Sequence, residues 1–595
     1  MGFCFIMQKL IVFYTDLLRQ YLGQYDGIKR RLRLLSTSRL LAFAGTVLAI
    51  YFFRGEAKWA IISSIAGMGL FLFLVRYYED AKTKFRFVHA LVKINERELK
   101  VLKHEYQEFP NGEIYSNSQH AYSHDMDLFG QGSFFQYLNR AQRPEGTDML
   151  AQLLTSNTIE SIGAKQETID ELAQKPEWRQ SFSARASLIE QEIRVHQAVS
   201  WLQRYIAFVP KSMRLVPGFF LTGFVLLAVL TFQWDLSLIF VLLWLTMGLG
   251  ITGRYFKRIT HLSQKADRVK ATFKQHSRLL EMIEETAFQA PQLKYQKQRL
   301  KVEGKKASEA IAYFSRLLNT MDYNNNFFYA IFGNGCFLGA LWTAYHIEDW
   351  IKKYKDEVGE WFEVIAFFEA HNSLGNFSFN HPLYTYPVLT NGPEVLACKK
   401  LGHPLIPAEK NIRNDFRIYD GNFFIITGSN MAGKSTFLRS VGLCMVMANL
   451  GLPVYAEECV YSPRKLITSM RSIDSLYKGD SYFLSELKRL KKVVQSVECD
   501  AYFVLLDEIL KGTNSHDKAT GSKKFLARLV RANATGLIAT HDLSLCETAD
   551  EYTNIGNYHL DAIIENDQLS FDYKLKEGVS KTMNASFLLK KMDLI

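Results

Sequence analysis

The sequence predicts a multidomain chain: α-helical membrane hairpins and a helical lever or core region, followed by an α/β domain. Three observations predict it. Four uncharged apolar segments lie before residue 254, polar helical patterns follow them, and from about Ala397 short apolar runs alternate with helical ones around a glycine-rich loop.

Residues 1–38 read as an amphipathic, basic helix lying before the membrane. The apolar segments are Leu40–Phe53, Trp59–Val75, Leu215–Trp234 and Leu236–Gly253, and they pair into hairpins over 39–76 and 215–253. A bilayer-spanning helix needs roughly 17–25 such residues. Lys29, Arg30, Arg31, Arg33 and Arg39 precede the first hairpin, and Arg76, Lys82, Lys84 and Arg86 follow it. Lys211 and Arg214 precede the second, with Arg254, Lys257 and Arg258 after it. That excess orients both outer ends toward the cytoplasm, a multi-pass placement in the cytoplasmic membrane; Arg54 and Lys58 in the first turn oppose it. No cleavable secretory signal is evident, and Met7 is an alternative start to Met1.

Residues 77–214 are expected to be mostly helical, with turns at Phe109–Gly112 and Arg143–Gly146. Residues 254–395 form the second part of the helical region, opening with a long polar pattern over 254–320 that suits lever helices or a coiled coil. The uncharged stretch 323–345 holds Asn324, Asn325, Asn326 and Asn334, which favours a buried or interfacial helix over a fifth span. Residues 396–595 make the α/β domain.

In that domain Gly428, Ser429, Asn430, Met431, Ala432, Gly433, Lys434, Ser435 and Thr436 fit G-x-x-x-x-G-K-[ST]. The run Phe423–Ile426 precedes them and a helical pattern from Phe437 follows. Strand, glycine turn and helix in that order aim backbone N–H groups and a helix N-terminus at a polyanion. Lys434 is expected to reach the β/γ-phosphates of ATP and Ser435 to ligate Mg²⁺. The apolar run Tyr502–Leu506 ends in Asp507 and Glu508. A buried parallel strand reads this way. Asp507 is then a second Mg²⁺ ligand and Glu508 polarises the attacking water. A third strand, Gly536–Thr540, delivers His541 as a γ-phosphate contact.

Together these stretches resemble the MutS family of ATPases, whose nucleotide domain is of the ABC type. Thr427–Arg439 is close to that family's phosphate loop, with Asn430 and Met431 its distinctive part and Ser429 standing where Pro is usual. Leu506–Asp517, Ala539–Asp542, His403-Pro404 and Asn414-Asp415 match further family segments, and Gly479–Glu486 resembles its Ser-Thr-Phe-Met-x-Glu stretch. The resemblance implies a homodimer with Ser481 facing the partner's γ-phosphate, and DNA binding with a repair-related role. Met126–Ala151 resembles the start of the family's helical core. Nothing resembles its mismatch-recognition domain or its dimerisation tail.

The formal net charge of +11 fits DNA or anionic lipid equally. Seven cysteines without CxxC or metal spacing fit a reduced compartment. Three functions compete: a DNA-related MutS-like ATPase anchored in the membrane lipid, a membrane mechanochemical ATPase with no DNA role, and an ABC transporter half. The last is disfavoured, because no LSGGQ segment lies between Lys434 and Asp507.

Overall fold

The computed structural model describes residues 2–189, 194–429, 431–471, 482–511, 514–565 and 568–580. One helix runs unbroken from Gly2 to Phe52 and a second covers Ala57–Leu102, joined by a tight turn. The expected separate helix over 1–38 is therefore continuous with the first apolar segment, because nothing between them breaks the backbone hydrogen bonding. The two helices pair along their length, and Leu40, Leu41, Phe43, Ile65, Leu72 and Phe73 face outward from the pair.

The root of this hairpin is different in kind. Leu10 and Tyr14 are buried, and Tyr14 Oη donates to Asn380 Oδ1 at 2.7 Å. Glu98, 2% exposed, accepts from Arg140 Nε at 2.5 Å and from the amides of Asn376 and Asn380, each at 2.9 Å. Arg179 donates to Asn376 Oδ1 at 2.7 Å. A buried charge survives only when it is paired and hydrogen-bonded, and Glu98 is both.

The second hairpin comprises Val216–Trp234 and Leu238–Arg254, and it too exposes large apolar side chains, Phe232 at 90% among them. Among the described residues, three helices are long and apolar enough to cross a membrane: Ile6–Phe52, Ala57–Leu102 and Val216–Trp234. The fourth, Leu238–Arg254, bends by 64° into the helix that starts at Phe256. The polar pattern over 254–320 is helical but interrupted. It forms helices Phe256–Glu285, Pro291–Gln298 and Ala307–Met321, broken by Pro291 and by a two-stranded turn at Lys301–Lys306 where Glu303 and Gly304 take positive φ. Arg143–Gly146 is likewise a helix start rather than a turn, with Pro144 in the first turn of the helix Pro144–Thr155.

The stretch 323–345 is a broken helix. A 3₁₀ turn over Asp322–Asn325, a π turn over Tyr329–Gly333 and a short helix Asn334–Phe337 precede the helix Gly339–Tyr354. Leu338 takes φ +51° at the break, and Asn334 bridges it by donating to Ala330 O and accepting from Ala340 N. The short helix lies on the second hairpin so closely that a Cβ on Gly248 would sit 2.4 Å from the Gly335 carbonyl oxygen. The helical core behind it centres on Phe273, Phe314, Trp350 and Trp361. Phe314 stacks on Trp350 at 3.9 Å between centroids.

The α/β region carries strands β1 (Glu394–Leu401), β2 (Asn414–Tyr419), β3 (Phe423–Gly428), β4 (Glu458–Tyr461), β5 (Lys465–Ser469), β6 (Tyr502–Asp507), β7 (Thr535–Ala539), β8 (Ile555–Glu565) and β9 (Gln568–Glu577). A six-stranded sheet runs β9-β8-β3-β7-β6-β5, parallel except for the β8/β9 edge. β3 is buried at all six positions, as a central parallel strand requires. A smaller sheet pairs β4, β1 and β2 antiparallel, with the short strand Val388–Leu389 beside β4.

The segment 119–128 seals the β5 edge. Thr468 N donates to Ala121 O at 2.9 Å, and the Asp125 carboxylate accepts from Thr468 Oγ1 and from the N–H groups of Met470 and Arg471. Three of the seven cysteines, scattered in sequence, meet in the core: Cys398 Sγ lies 3.3 Å from Cys459 Sγ and 3.9 Å from Cys444 Sγ. They tie the small sheet to the helix Lys434–Leu450.

Candidate functional site

The glycine-rich loop leaves the carboxyl end of β3, between β8 and β7, and feeds the helix Lys434–Leu450. Open α/β sheets bind ligands at that edge. The loop's path requires glycine at one point above all: at Gly428, φ is +149°, and a Cβ there would lie 2.3 Å from the Leu560 carbonyl oxygen of β8. Met431 also takes a positive φ and is 79% exposed over the loop, while Ala432 beneath it is buried. Asn430 lies outside the described residues, as does Ser481.

Lys434 opens the helix and folds its ammonium back under the loop. Nζ donates to the carbonyl oxygens of Gly428 and Ser429, each at 2.9 Å, and lies 3.2 Å from His541 Nε2. Burial pushes its pKa down, against the pull of Glu508 and Asp507. Ser435 Oγ donates to Asp507 Oδ2 at 2.5 Å, joining the helix start to the end of β6 two strands away. Burial raises the Asp507 carboxyl, and the Ser435 hydrogen bond opposes that rise.

Glu508 stands at φ +49°, in the left-handed region, held by its N–H donating to Ala539 O at 2.9 Å. Its carboxylate meets His541 Nε2 at 2.9 Å and Lys511 Nζ at 3.6 Å. The His541 hydrogen bond, ahead of the Lys511 charge, holds the Glu508 carboxyl down at about 2. Glu486 braces the following turn by accepting from Leu510 N at 2.5 Å and Lys511 N at 3.2 Å. The structure thus brings Lys434, Ser435, Asp507, Glu508 and His541 together from three strand ends.

Lys434, Ser435, Glu508 and His541 line one end of a cleft of about 730 Å³, with Asp507 behind Ser435. Its far end holds His403 and Asn414, anticipated in sequence, and Ile406, Asn411, Ile412 and Tyr573, which were not. Asn411 clamps the His403 turn by donating to His403 O at 2.7 Å and Ile406 O at 3.0 Å. Burial drives the His403 imidazole down to about 4, so it is neutral at pH 7. Asn414 donates to Tyr573 O at 3.0 Å, which sets the Tyr573 ring against Gly433. No local pattern in the sequence marked Tyr573, which lies 159 residues from Asn414.

The donor set fits a nucleoside polyphosphate with a divalent cation. At Gly428 and Gly433 the backbone runs against the Leu560 carbonyl and the Tyr573 ring with no space for a Cβ, Lys434 supplies a cation whose hydrogen bonds among the described residues go to neutral carbonyls and an imidazole, and Ser435 and Asp507 set a hydroxyl beside a carboxylate.

Residues 424–590 match the family model described as MutS domain V. MutS protein homolog 4 of Homo sapiens is 32% identical over 212 residues, 34% of this chain and 22% of that protein. DNA mismatch repair protein MutS of Desulfatibacillum aliphaticivorans is 29% identical over 242 residues, 39% of this chain and 27% of the relative. Its counterpart in Persephonella marina is 28% identical over 232 residues, covering 38% and 26% respectively. The chain thus spans about a quarter of the length of these relatives. Both the site geometry and the family model fall in the same C-terminal region, and residues 424–590 are what this chain shares with the MutS family.

Proposed function

We propose that this chain is a membrane-anchored, Mg²⁺-dependent ATPase whose α/β region is an ABC-type P-loop domain working as a homodimer. The observation that carries the reading is the convergence of Lys434, Ser435, Asp507, Glu508 and His541 at the carboxyl edge of one parallel sheet. Lys434 leaves its loop carbonyls to neutralise the β/γ-phosphates of ATP. Ser435 and Asp507 hold Mg²⁺, which when bound offsets charge on the same phosphate oxygens. Glu508 orients and polarises the attacking water, and His541 fixes the Glu508 carboxylate and reports on the γ-phosphate position. The family resemblance assigns Ser481, which lies outside the described residues, to the partner subunit's nucleotide.

The membrane half of the proposal rests on two hairpins that expose their apolar side chains and carry basic residues at their outer ends. The anchored domain is cytoplasmic, and opening and closing of the dimer moves the helical region against the hairpins. Carbonate extraction of membranes, with protease mapping at the turns near residues 54 and 236, tests it: protein released by carbonate, or turns cut from the cytoplasmic side, would end the anchoring.

A DNA-related role is favoured by one observation, the mismatch-repair names of the relatives aligned across the same domain. The discriminating measurement is salt-dependent duplex binding by detergent-purified protein, with and without a mismatch, alongside ATPase rate. Duplex that neither binds at low salt nor changes turnover would leave the mechanochemical ATPase without a DNA role.

A further inference from the structure

The strongest cluster outside the nucleotide site is a cleft of about 810 Å³ at the root of the second hairpin. One wall is the helix Val195–Gln203 and the extended chain after it; the other is the start of the helix Phe256–Glu285. Both ends of the hairpin therefore meet here. Phe208, just before the hairpin, stacks on Tyr255 just after it, with centroids 6.4 Å apart, and the Arg258 guanidinium lies over the Phe208 ring.

Arg204, Lys257, Arg258 and Lys265 line the cleft, and no acidic side chain does so among the described residues. Arg204, Lys257 and Lys265 are exposed to solvent. Four like charges facing one space repel, so a structure that gathers them favours an anion between them. The wall is also prearranged: the Glu348 carboxylate accepts from Tyr205 Oη and from the N–H groups of Phe208 and Val209, all within 3.1 Å.

Two features choose among anions. Ile206 in the cleft is 85% exposed and Phe256, next in the chain to the cleft residue Lys257, is 66% exposed, and aromatic and apolar groups mixed with cations suit the interfacial zone of a bilayer. The hairpin itself carries an apolar groove of about 530 Å³ lined by Phe219, Gly223, Trp244 and Met247, which offers an acyl chain a place that a nucleic acid has no means to fill.

We propose that this cleft binds the phosphate headgroup of an anionic glycerophospholipid, a reading that rests on the membrane anchoring proposed above. Basic pockets beside membrane helices take such headgroups through charge and multiple N–H donors.

The test uses full-length protein in neutral detergent, titrated with phosphatidylglycerol and phosphatidylcholine, with retained lipid counted by native mass spectrometry. The wild type is expected to keep phosphatidylglycerol in preference. Replacing Arg204, Lys257 and Lys265 by Gln together should weaken retention by about fivefold per cation removed. The charge-conserving set R204K, K257R and K265R should retain it, and an unchanged ATP-induced melting shift shows that the variants are folded. Equal retention of both lipids by the wild type, or undiminished phosphatidylglycerol on the Gln variant, overturns the site. Displacement of the lipid by equimolar duplex DNA also overturns it, as a nucleic-acid site. The same protein is floated with phosphatidylcholine vesicles and washed with carbonate. Release there removes the anchoring itself, whereas firm insertion without lipid preference removes only the headgroup site.

Discussion

Replacing Glu508 by Gln separates catalysis from folding at this site. Gln is the same size, and its carbonyl oxygen still accepts from His541, so the geometry around Nε2 at 2.9 Å is kept and the charge is lost. The lost ion pairs are worth little to stability. Glu508 is 26% exposed and Lys511 35% exposed, and pairs this open to water contribute about 0–1 kcal/mol. The left-handed backbone at Glu508 is held by Ala539 O, which the substitution does not touch. Loss of a positioned base or water-polarising group costs about 10²–10⁴ in rate, or roughly 2.7–5.5 kcal/mol of barrier. The expected result is a protein that melts within about 2 °C of wild type and binds ATP, yet releases phosphate at least a hundredfold more slowly in a single-turnover assay with Mg²⁺. The pH dependence follows with its sign. The folded carboxyl titrates at about 2, below its free value of 4.5, so its contribution to stability is present above about pH 4.5 and fades as pH falls toward 2. Between about pH 6 and 9 this group stays ionised and adds no slope to the wild-type rate. Single-turnover release by Glu508→Gln within tenfold of wild type would refute the role, and would move the water-activating step to another group.

Lys434→Ala should lose the ATP-induced melting shift, since it removes the ammonium that the Gly428 and Ser429 carbonyls hold under the loop; an undiminished shift counts against phosphate binding by the loop. Arg140→Met leaves Glu98 charged and buried, at a cost of about 3–5 kcal/mol, whereas adding Glu98→Leu to it should recover most of the loss; hydrogen exchange at residues 10–20 and 376–380 reads both. Gly248→Leu drives a side chain into the Gly335 carbonyl and should destabilise the packing of Asn334–Phe337 on the second hairpin by about 1–3 kcal/mol or more, seen as a lower melting point in detergent with nucleotide binding intact.

The chemistry of the site was legible because its residues sit in local patterns. Gly428–Thr436 shows its turn through glycine spacing, and Asp507 and His541 are marked by the apolar strands that end at them. The residues that brace these side chains were not legible, because they are brought in by contacts far apart in the chain. Tyr573 reaches Gly433 only because β9 pairs with β8 and β8 with β3, and Asp125 reaches Thr468 across 343 residues. The three cysteines meet through one register pairing, Cys398 with Cys459, plus a helix that crosses above it. The hairpins were visible from hydropathy, which is a property of composition. The break at Leu338 was not, since 323–345 is uncharged throughout and the Asn334 side chain replaces backbone bonds with no sequence period to betray it.

One helix explains how the nucleotide region and the hairpins are held together. Glu357–Asn380 is buried on nearly every face, which a surface helix never is. Its first half, through Val358, Trp361 and Phe368, lies in the helical core that carries the second hairpin. Its second half, through Ala370, Leu374 and Phe377, lies in the core that also holds Phe437, Leu438 and Val441 of the glycine-loop helix. At its end Asn376 and Asn380 grip Glu98 at the root of the first hairpin. A 24-residue helix spans about 36 Å, so one rigid element reaches from the core that carries the second hairpin to the root of the first and to the core shared with the glycine-loop helix. The glycine-loop helix adds a second tie, because Arg439 donates to Asp125 O at 3.1 Å and the same chain segment continues to Arg140, the partner of Glu98. Close-packed interiors transmit displacement rather than absorb it. A tilt of the glycine-loop helix has a route to the first hairpin through a covalent segment and a buried ion pair, and a route toward the core of the second through the packed helices Glu357–Asn380 and Ile162–Ala173. The two hairpins are therefore unequal in their attachment to the α/β region, the first joined through a buried ion pair and the second through apolar helix packing.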